Sequence, residues 1–172
     1  MKFISKITLF VLIAIFAVSY LSCKKPSAYP SIPAIEFRSF EKIPNETKVD
    51  NNGLLTISFT DGDGDLGLNP SDTNPPFDNN GPNYFNYFMR FFEKQDGKFV
   101  DITDSLTLPL NSRFPRIESK TKNKSLKGYI ELEIPINNPY SSFDTIKFNV
   151  YITDRALHKS NTITTPEIII NK

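Results

Sequence analysis

The sequence is poor in the residues on which most catalytic and metal-binding motifs depend. Its 172 residues include one cysteine, one histidine and no tryptophan. A single cysteine excludes an internal disulfide, and no zinc-ligand spacing occurs. The chain also lacks a Gly-x-Ser-x-Gly elbow and a phosphate-cradling glycine loop. Its 20 basic and 19 acidic residues leave a formal charge of +1, which gives no reason to expect a nucleic-acid partner.

The N-terminus has the features of a targeting segment. Lys2 and Lys6 precede the apolar run ITLFVLIAIFAVSYL. This run is shorter than the length of about 20 residues that is needed to span a bilayer. The run ends at Leu21-Ser22-Cys23, which resembles a loose form of the lipobox of bacterial lipoprotein precursors. The resemblance implies cleavage before Cys23, a diacylglyceryl thioether on its sulfur and an acylated amine. Two or more acyl chains would anchor the protein stably.

The segment after the cysteine suggests how the mature protein is placed. Lys24 stands where an aspartate retains some lipoproteins in the inner membrane, so the resemblance implies an outer-membrane lipoprotein whose partner is the membrane lipid. Residues 1–22 are the predicted signal peptide, and their removal takes away two lysines and no acids, leaving a formal charge of −1. Residues 23–33 form the predicted lipidated cysteine and tether, because KKPSAYPSIPA has three prolines and no periodic pattern.

Residues 34–172 carry the signals of an all-β domain. Segments with alternating or strongly strand-like composition recur between clusters of Gly, Pro, Asn and Asp, and this pattern is typical of half-buried antiparallel strands. We predict a single β-sandwich of about seven strands. Two long loops, at residues 61–83 and 104–126, interrupt it, and loops of this length are often functional or disordered. Pro166 predicts an edge strand or a bulge within the last strand. The seven predicted strands are AIEFRSF, LLTISFT, YFNYFMRFFEK, KFVDI, GYIELEIPI, DTIKFNVYIT and NTITTPEIII.

Two stretches resemble the immunoglobulin-like or cadherin-like sandwich of cell-surface proteins. One is the strand that runs into FTDGDGDLG, and the other is the final VYITDRALHKSNTITTPEI. In such a sandwich the loop after the second strand and the loop between the last two strands lie at the same end. The chain lacks the tryptophan and the disulfide of antibody-type domains, which excludes that subclass. The fold alone implies no activity.

The DGDGD stretch predicts a calcium site. Carboxylates at alternate positions of a glycine-rich loop can converge, and Ca²⁺ prefers such oxygen ligands. The loop is not an EF-hand, because leucine replaces the glycine at position 6 and a strand precedes it. If Ca²⁺ does not bind, Arg155 is the competing ion-pair partner that would relieve the repulsion between these carboxylates. The predicted ligands are Asp61, Asp63, Asp65, Asn69, Asp72 and, from the last hairpin, Asp154.

The aromatic stretch NYFNYFMRFF predicts a second feature. One side would face the core, and the other, with Tyr84, Phe88 and Phe92, would either bind an envelope protein or a glycan or be covered by a long loop.

An enzymatic function is not expected. A strand followed by Asp-x-Asp resembles phosphotransferases of the haloacid dehalogenase type, but Asp65 replaces the usual Thr or Val and the helical segments are missing. The leading expectation is a membrane-anchored, non-enzymatic binding or structural module. The alternative is an accessory glycan-binding or hydrolytic domain that uses the Asp loop or the aromatic strand.

Overall fold

The alternating pattern produces two antiparallel sheets. The computed structural model describes residues 29–79, 81–119 and 125–172. In chain order the strands are β1 (Ala34–Pro44), β2 (Asp50–Asp61), β3 (Tyr87–Gln95), β4 (Lys98–Asp101), β5 (Leu126–Pro135), β6 (Thr145–Ile152), β7 (Ile163–Thr164) and β8 (Ile168–Ile169). The first sheet has the order β1-β2-β5, and the second has the order β4-β3-β6-β7, with β8 also paired to β6. The predicted all-β sandwich is confirmed, and the described residues form eight strands because the last predicted strand is divided in two.

The core lies between the inner faces of the two sheets. On β2 every second side chain from Leu55 to Phe59 is buried, and the even-numbered side chains of β6 from Ile146 to Ile152 are fully buried. The ring of Phe91 on β3 meets that of Phe148 edge to face at 5.0 Å between centroids. Truncation of a buried phenylalanine such as Phe148 to alanine typically costs about 3–5 kcal/mol. The strict alternation seen in the sequence is therefore what builds the core.

Pro166 divides the last strand. β7 and β8 pair with β6 on either side of the proline, which has no N–H to donate to a ladder. Thr165 bridges this interruption: its backbone N–H donates to the carbonyl oxygen of Phe148 at 2.9 Å, and its Oγ1 accepts the Phe148 N–H at 3.0 Å. The predicted interruption at Pro166 is thus a local bulge whose hydrogen bonds are completed by a threonine hydroxyl.

The two long loops bind each other at one end of the sandwich. Leu66 and Leu68 of the first loop are buried. The N–H of Leu68 donates to the Phe114 carbonyl at 3.2 Å, and the N–H of Ile117 donates to the Leu66 carbonyl at 3.0 Å. Gly67 adopts a φ of +85°, and a Cβ there would lie 2.1 Å from a backbone oxygen of the second loop. These contacts fix the course of the chain just beyond the DGDGD stretch.

The N-terminal segment reaches the domain at this same end. The N–H of Gly62 donates to the Pro30 carbonyl at 2.7 Å, and a Cβ at Gly62 would lie 2.1 Å from the carbonyl oxygen of Tyr29. On its other side the carbonyl of Gly62 accepts a hydrogen bond from the Ser125 hydroxyl at 3.1 Å. The described part of the predicted tether is therefore packed directly against the aspartate loop.

Candidate metal-binding site

The aspartate loop begins where β2 ends. Asp61 is the last residue of that strand, and the chain curls because Gly64 takes a φ of +69°. The N–H of Asp65 donates back to Asp61 Oδ2 at 2.9 Å. One carboxylate oxygen from each of Asp61, Asp63 and Asp65 lies within 4.8 Å of the others. The convergence that the alternating sequence predicts is thus present in the three-residue group, and this group could hold a metal ion.

Each of these carboxylates has one oxygen without a hydrogen-bond partner. Among the described residues, no donor reaches the buried Oδ1 atom of any of the three aspartates, and Asp61 as a whole is 0% exposed. A buried polar atom without a partner typically costs about 1–3 kcal/mol, and more when it is charged. Three such atoms in one group need either protons or a cation.

The electrostatics of the group lead to the same conclusion. Burial, with the nearby charges of Asp63 and Asp65, raises the pKa of Asp61 to about 6 against the opposing hydrogen bond from the Asp65 N–H. A hydrogen bond with the Asp63 carboxyl also contributes to the raised pKa of Asp61. Burial and the charges of Asp154 and Asp63 also raise the pKa of Asp65. Without a cation, the ionised forms of Asp61 and Asp65 are therefore less favourable in the folded protein than in an exposed aspartate.

The opposite end of β2 provides a contrast within the same strand. Asp50 is also buried, but its Oδ2 receives the Lys42 ammonium at 2.7 Å and the Asn171 N–H at 2.8 Å. Although burial opposes it, these partners lower the pKa of Asp50. Burial of Asp50 is therefore offset by its partners, whereas the hydrogen bond from the Asp65 N–H does not offset the burial of Asp61.

The last hairpin reaches the aspartate loop, as the predicted topology requires. The N–H of Arg155 donates to the Asp65 carbonyl at 3.3 Å, and the N–H of Ala156 donates to Asp65 Oδ2 at 3.0 Å. Asp154 itself turns to His158: its Oδ1 accepts the His158 N–H at 2.7 Å, and its Oδ2 lies 2.9 Å from His158 Nδ1. The charge of Asp154 therefore raises the pKa of Asp65, while both of its carboxylate oxygens contact His158 within the hairpin.

Asn69 and Asp72 lie in a different cluster from the three converging aspartates. Asp72 accepts the Asn69 N–H at 2.7 Å and forms an ion pair with Arg155. Arg113 donates to the backbone carbonyls of Asn69 and Asp72 at 3.1 and 3.0 Å. The converging group in the described residues therefore consists of Asp61, Asp63 and Asp65, and Asn69 and Asp72 are bound instead by each other and by Arg113 and Arg155.

Arg155 forms an ion pair with Asp72, one of the predicted ligands, and this pair, together with the charge of Asp65, raises the pKa of the guanidinium. A second guanidinium, that of Arg116, also lies beside the aspartate loop. Its Nη2 donates to the Gly64 carbonyl at 3.1 Å, and its buried Nη1 has no hydrogen-bond partner among the described residues. Its charge opposes the rise in the Asp65 pKa. Arg116 lies in the second long loop, at residues 104–126, and belongs to none of the sequence motifs described above.

Tyr84 lies outside β3, in the loop before it. The Arg113 guanidinium lies 4.8 Å from the centre of its ring, and the Phe85 ring packs edge-on at 5.0 Å. The buried side chain of Asn86 then bonds both backbone groups of Phe114, at 2.8 and 3.2 Å. The strand therefore starts three residues later than predicted, and Tyr84 belongs to the loop cluster.

Phe88 and Phe92 point away from the core, and lysine side chains lie over the Phe92 ring and over the Tyr151 ring beside Phe88. Phe88 stacks on Tyr151 with ring centres 4.7 Å apart, and Lys159 Nζ lies 3.8 Å from the Tyr151 ring centre. Lys147 Nζ lies 5.7 Å from the centre of the Phe92 ring. The rings of Phe88 and Phe92 are half-buried. They are therefore neither a fully exposed binding surface nor a surface fully covered by a long loop.

Comparison with known proteins gives no family for this chain. No family model, curated protein or solved structure matches it. The resemblance to immunoglobulin-like or cadherin-like domains stays a prediction. Cys23 and the signal segment at residues 1–22 lie outside the described residues. In the part of the chain that is described, no helix is long and apolar enough to cross a membrane.

Proposed function

We propose that this protein is an outer-membrane lipoprotein whose β-sandwich is a non-enzymatic binding or structural module stabilised by Ca²⁺. The cation would be held by Asp61, Asp63 and Asp65, and the lipid anchor would be attached to Cys23. The observation that carries the metal proposal is the convergence of one carboxylate oxygen from each of the three aspartates, together with the buried Oδ1 atom of each that has no hydrogen-bond partner among the described residues.

The donor chemistry favours Ca²⁺ over other common cations. All three side chains offer hard oxygen ligands, and the group contains no histidine or cysteine. Ca²⁺ accepts six to eight oxygens in flexible geometry, so backbone carbonyls and water can complete a set of three carboxylates. Mg²⁺ requires near-octahedral geometry and dehydrates reluctantly. A cation there would provide charge compensation and hold the loop against the tether.

The anchor proposal rests on the lipobox-like sequence and on where the chain enters the domain. Tyr29 and Pro30 lie against Gly62 of the aspartate loop. Only a short segment separates them from Cys23, so the loop end of the sandwich is the end that would face the lipid. A calcium-stabilised loop at this position would fix the orientation of the domain above the membrane.

A thermal melt in Ca²⁺ or in chelator tests the metal proposal. At a 100-fold excess over Kd, the ligand should stabilise the folded state by about 2.7 kcal/mol. This corresponds to a midpoint increase of about 5–10 °C in a domain of this size. Asp63→Asn should abolish the increase, whereas Asp96→Asn, in the exposed β3–β4 turn, should preserve it. An unchanged wild-type midpoint at millimolar Ca²⁺ would refute the metal proposal.

A further inference from the structure

The outer face of the first sheet carries a trough that the metal proposal does not use. In the β1-β2-β5 register, short side chains line its centre and longer ones rise at its sides. The two rows across the sheet are Ala34–Thr60–Lys127 and Glu36–Ser58–Tyr129. With Tyr29 and Arg38 at its margins, the trough has a volume of about 440 Å³. Such a volume is within the range of ordinary ligand sites.

The polar groups of the trough are held in place. Arg38 Nε donates to the Ser58 hydroxyl at 2.8 Å, and its Nη2 donates to Glu36 at 2.9 Å. These hydrogen bonds place the guanidinium beside the centre of the trough. The hydroxyls of Ser58 and Thr60, the Glu36 carboxylate and this guanidinium line the trough, and this combination suits a ligand that carries many hydroxyl groups.

Tyr129 and Lys127 complete the chemistry of this face. Tyr129 is 67% exposed and presents an aromatic surface on which the apolar face of a sugar ring can stack. Lys127 is exposed and forms no ion pair with any residue in the described ranges. Because Glu36 is engaged by Arg38, the ammonium of Lys127 is the charge left for a ligand carboxylate.

The position of the trough argues against an extended peptide as the ligand. Its centre lies on β2, which is hydrogen-bonded to β1 on one side and to β5 on the other. A peptide that recognises a sheet by adding a strand needs a free backbone edge, and the middle of this sheet has none. The ligand must be recognised through side chains.

We propose that the trough binds an acidic oligosaccharide that contains uronic acid. A sugar ring stacks on Tyr129, its hydroxyls bond to Ser58, Thr60 and Glu36, and its carboxylate pairs with Lys127. The residues that line this site and the residues of the aspartate group are different.

Saturation-transfer NMR on the full-length protein, in a detergent without sugar head groups, tests this assignment. The probes are digalacturonate and its neutral counterpart galactobiose. Digalacturonate should bind, and galactobiose should bind at least about tenfold more weakly. Tyr129→Ala should weaken digalacturonate binding by at least about tenfold, while Tyr140→Ala, at an 88% exposed tyrosine outside the trough, should leave it unchanged. Lys127→Gln should remove the preference for the acidic sugar.

Three results would overturn the proposal. One is the absence of digalacturonate binding up to about 10 mM. The second is an equal effect of the two tyrosine substitutions. The third is binding of the protein to phosphatidylglycerol vesicles through Lys127 with no binding to the sugar. Circular dichroism melts of each variant check that the fold is retained, which is expected because both tyrosines are exposed.

Discussion

Replacement of Asp61 by asparagine should stabilise the protein when no cation is present. The two side chains have nearly the same shape, and the asparagine Oδ1 can still accept the Asp65 N–H. The change removes a buried carboxyl group whose pKa is raised from 3.8 to about 6 by burial and by the neighbouring carboxylates. That shift corresponds to about 3 kcal/mol of unfavourable interaction in the ionised form. Allowing for relaxation of the loop, we expect a gain of about 1–3 kcal/mol in the free energy of unfolding at pH 7.5.

The effect has a defined pH dependence. Below pH 3.8 the Asp61 carboxyl is protonated in both the folded and the unfolded chain, so its raised pKa contributes no penalty. As the pH rises toward about 6, the unfolded chain ionises first and the wild-type protein loses stability. The advantage of Asp61→Asn should therefore be small near pH 4 and reach its full value above pH 6. With bound Ca²⁺ the ionised form is favoured, and the wild-type protein should instead gain stability over this range.

Urea unfolding at pH 4 and at pH 7.5, each in chelator, measures the difference. Asp96→Asn serves as the control because Asp96 is exposed. If Asp61→Asn were no more stable than the wild type at pH 7.5 in chelator, the carboxylate would already be neutralised within the protein. That result would refute the inference that burial of the ionised Asp61 destabilises the metal-free protein.

The remaining predictions concern the loop and the anchor. Asp72→Asn should remove the Arg155 ion pair and speed hydrogen exchange at residues 69–73 without changing the response to Ca²⁺; loss of that response would place Asp72 in the metal site. Gly62→Ala should displace the tether, because the new Cβ would meet the carbonyl oxygens of Tyr29 and Pro30, and proteolysis at residues 29–33 should accelerate; unchanged cleavage would argue against the contact. Cys23→Ala should release the protein from membranes in fractionation, and full membrane retention would argue against lipidation.

The strands and the aspartate group could be predicted because both follow from local patterns. Period-two alternation defines which side chains of β2 and β6 are buried, and glycines between aspartates allow the carboxylates to converge. The carboxylates of Asp61, Asp63 and Asp65 are only a few residues apart, so their proximity depends little on the rest of the fold.

The other parts of the site depend on contacts between distant segments. Spacing along the chain groups Asn69 and Asp72 with the three aspartates, but it contains no information on the ion pair that Asp72 forms with Arg155. Arg116 approaches Gly64 only because the two loops bind each other across more than fifty residues of sequence. Periodicity and motif spacing contain no information about such packing. The same limit applies to the trough, whose rows come from three strands brought together by sheet register.

Isothermal titration calorimetry of Ca²⁺ into the metal-free protein tests the central proposal most directly. We expect saturable binding of one Ca²⁺ per chain at pH 7.5, loss of binding in Asp61→Asn and Asp63→Asn, and unchanged binding in Asp96→Asn. Absence of binding to the wild-type protein at millimolar Ca²⁺, or binding that persists in both site variants, would contradict the proposal that Asp61, Asp63 and Asp65 hold a cation.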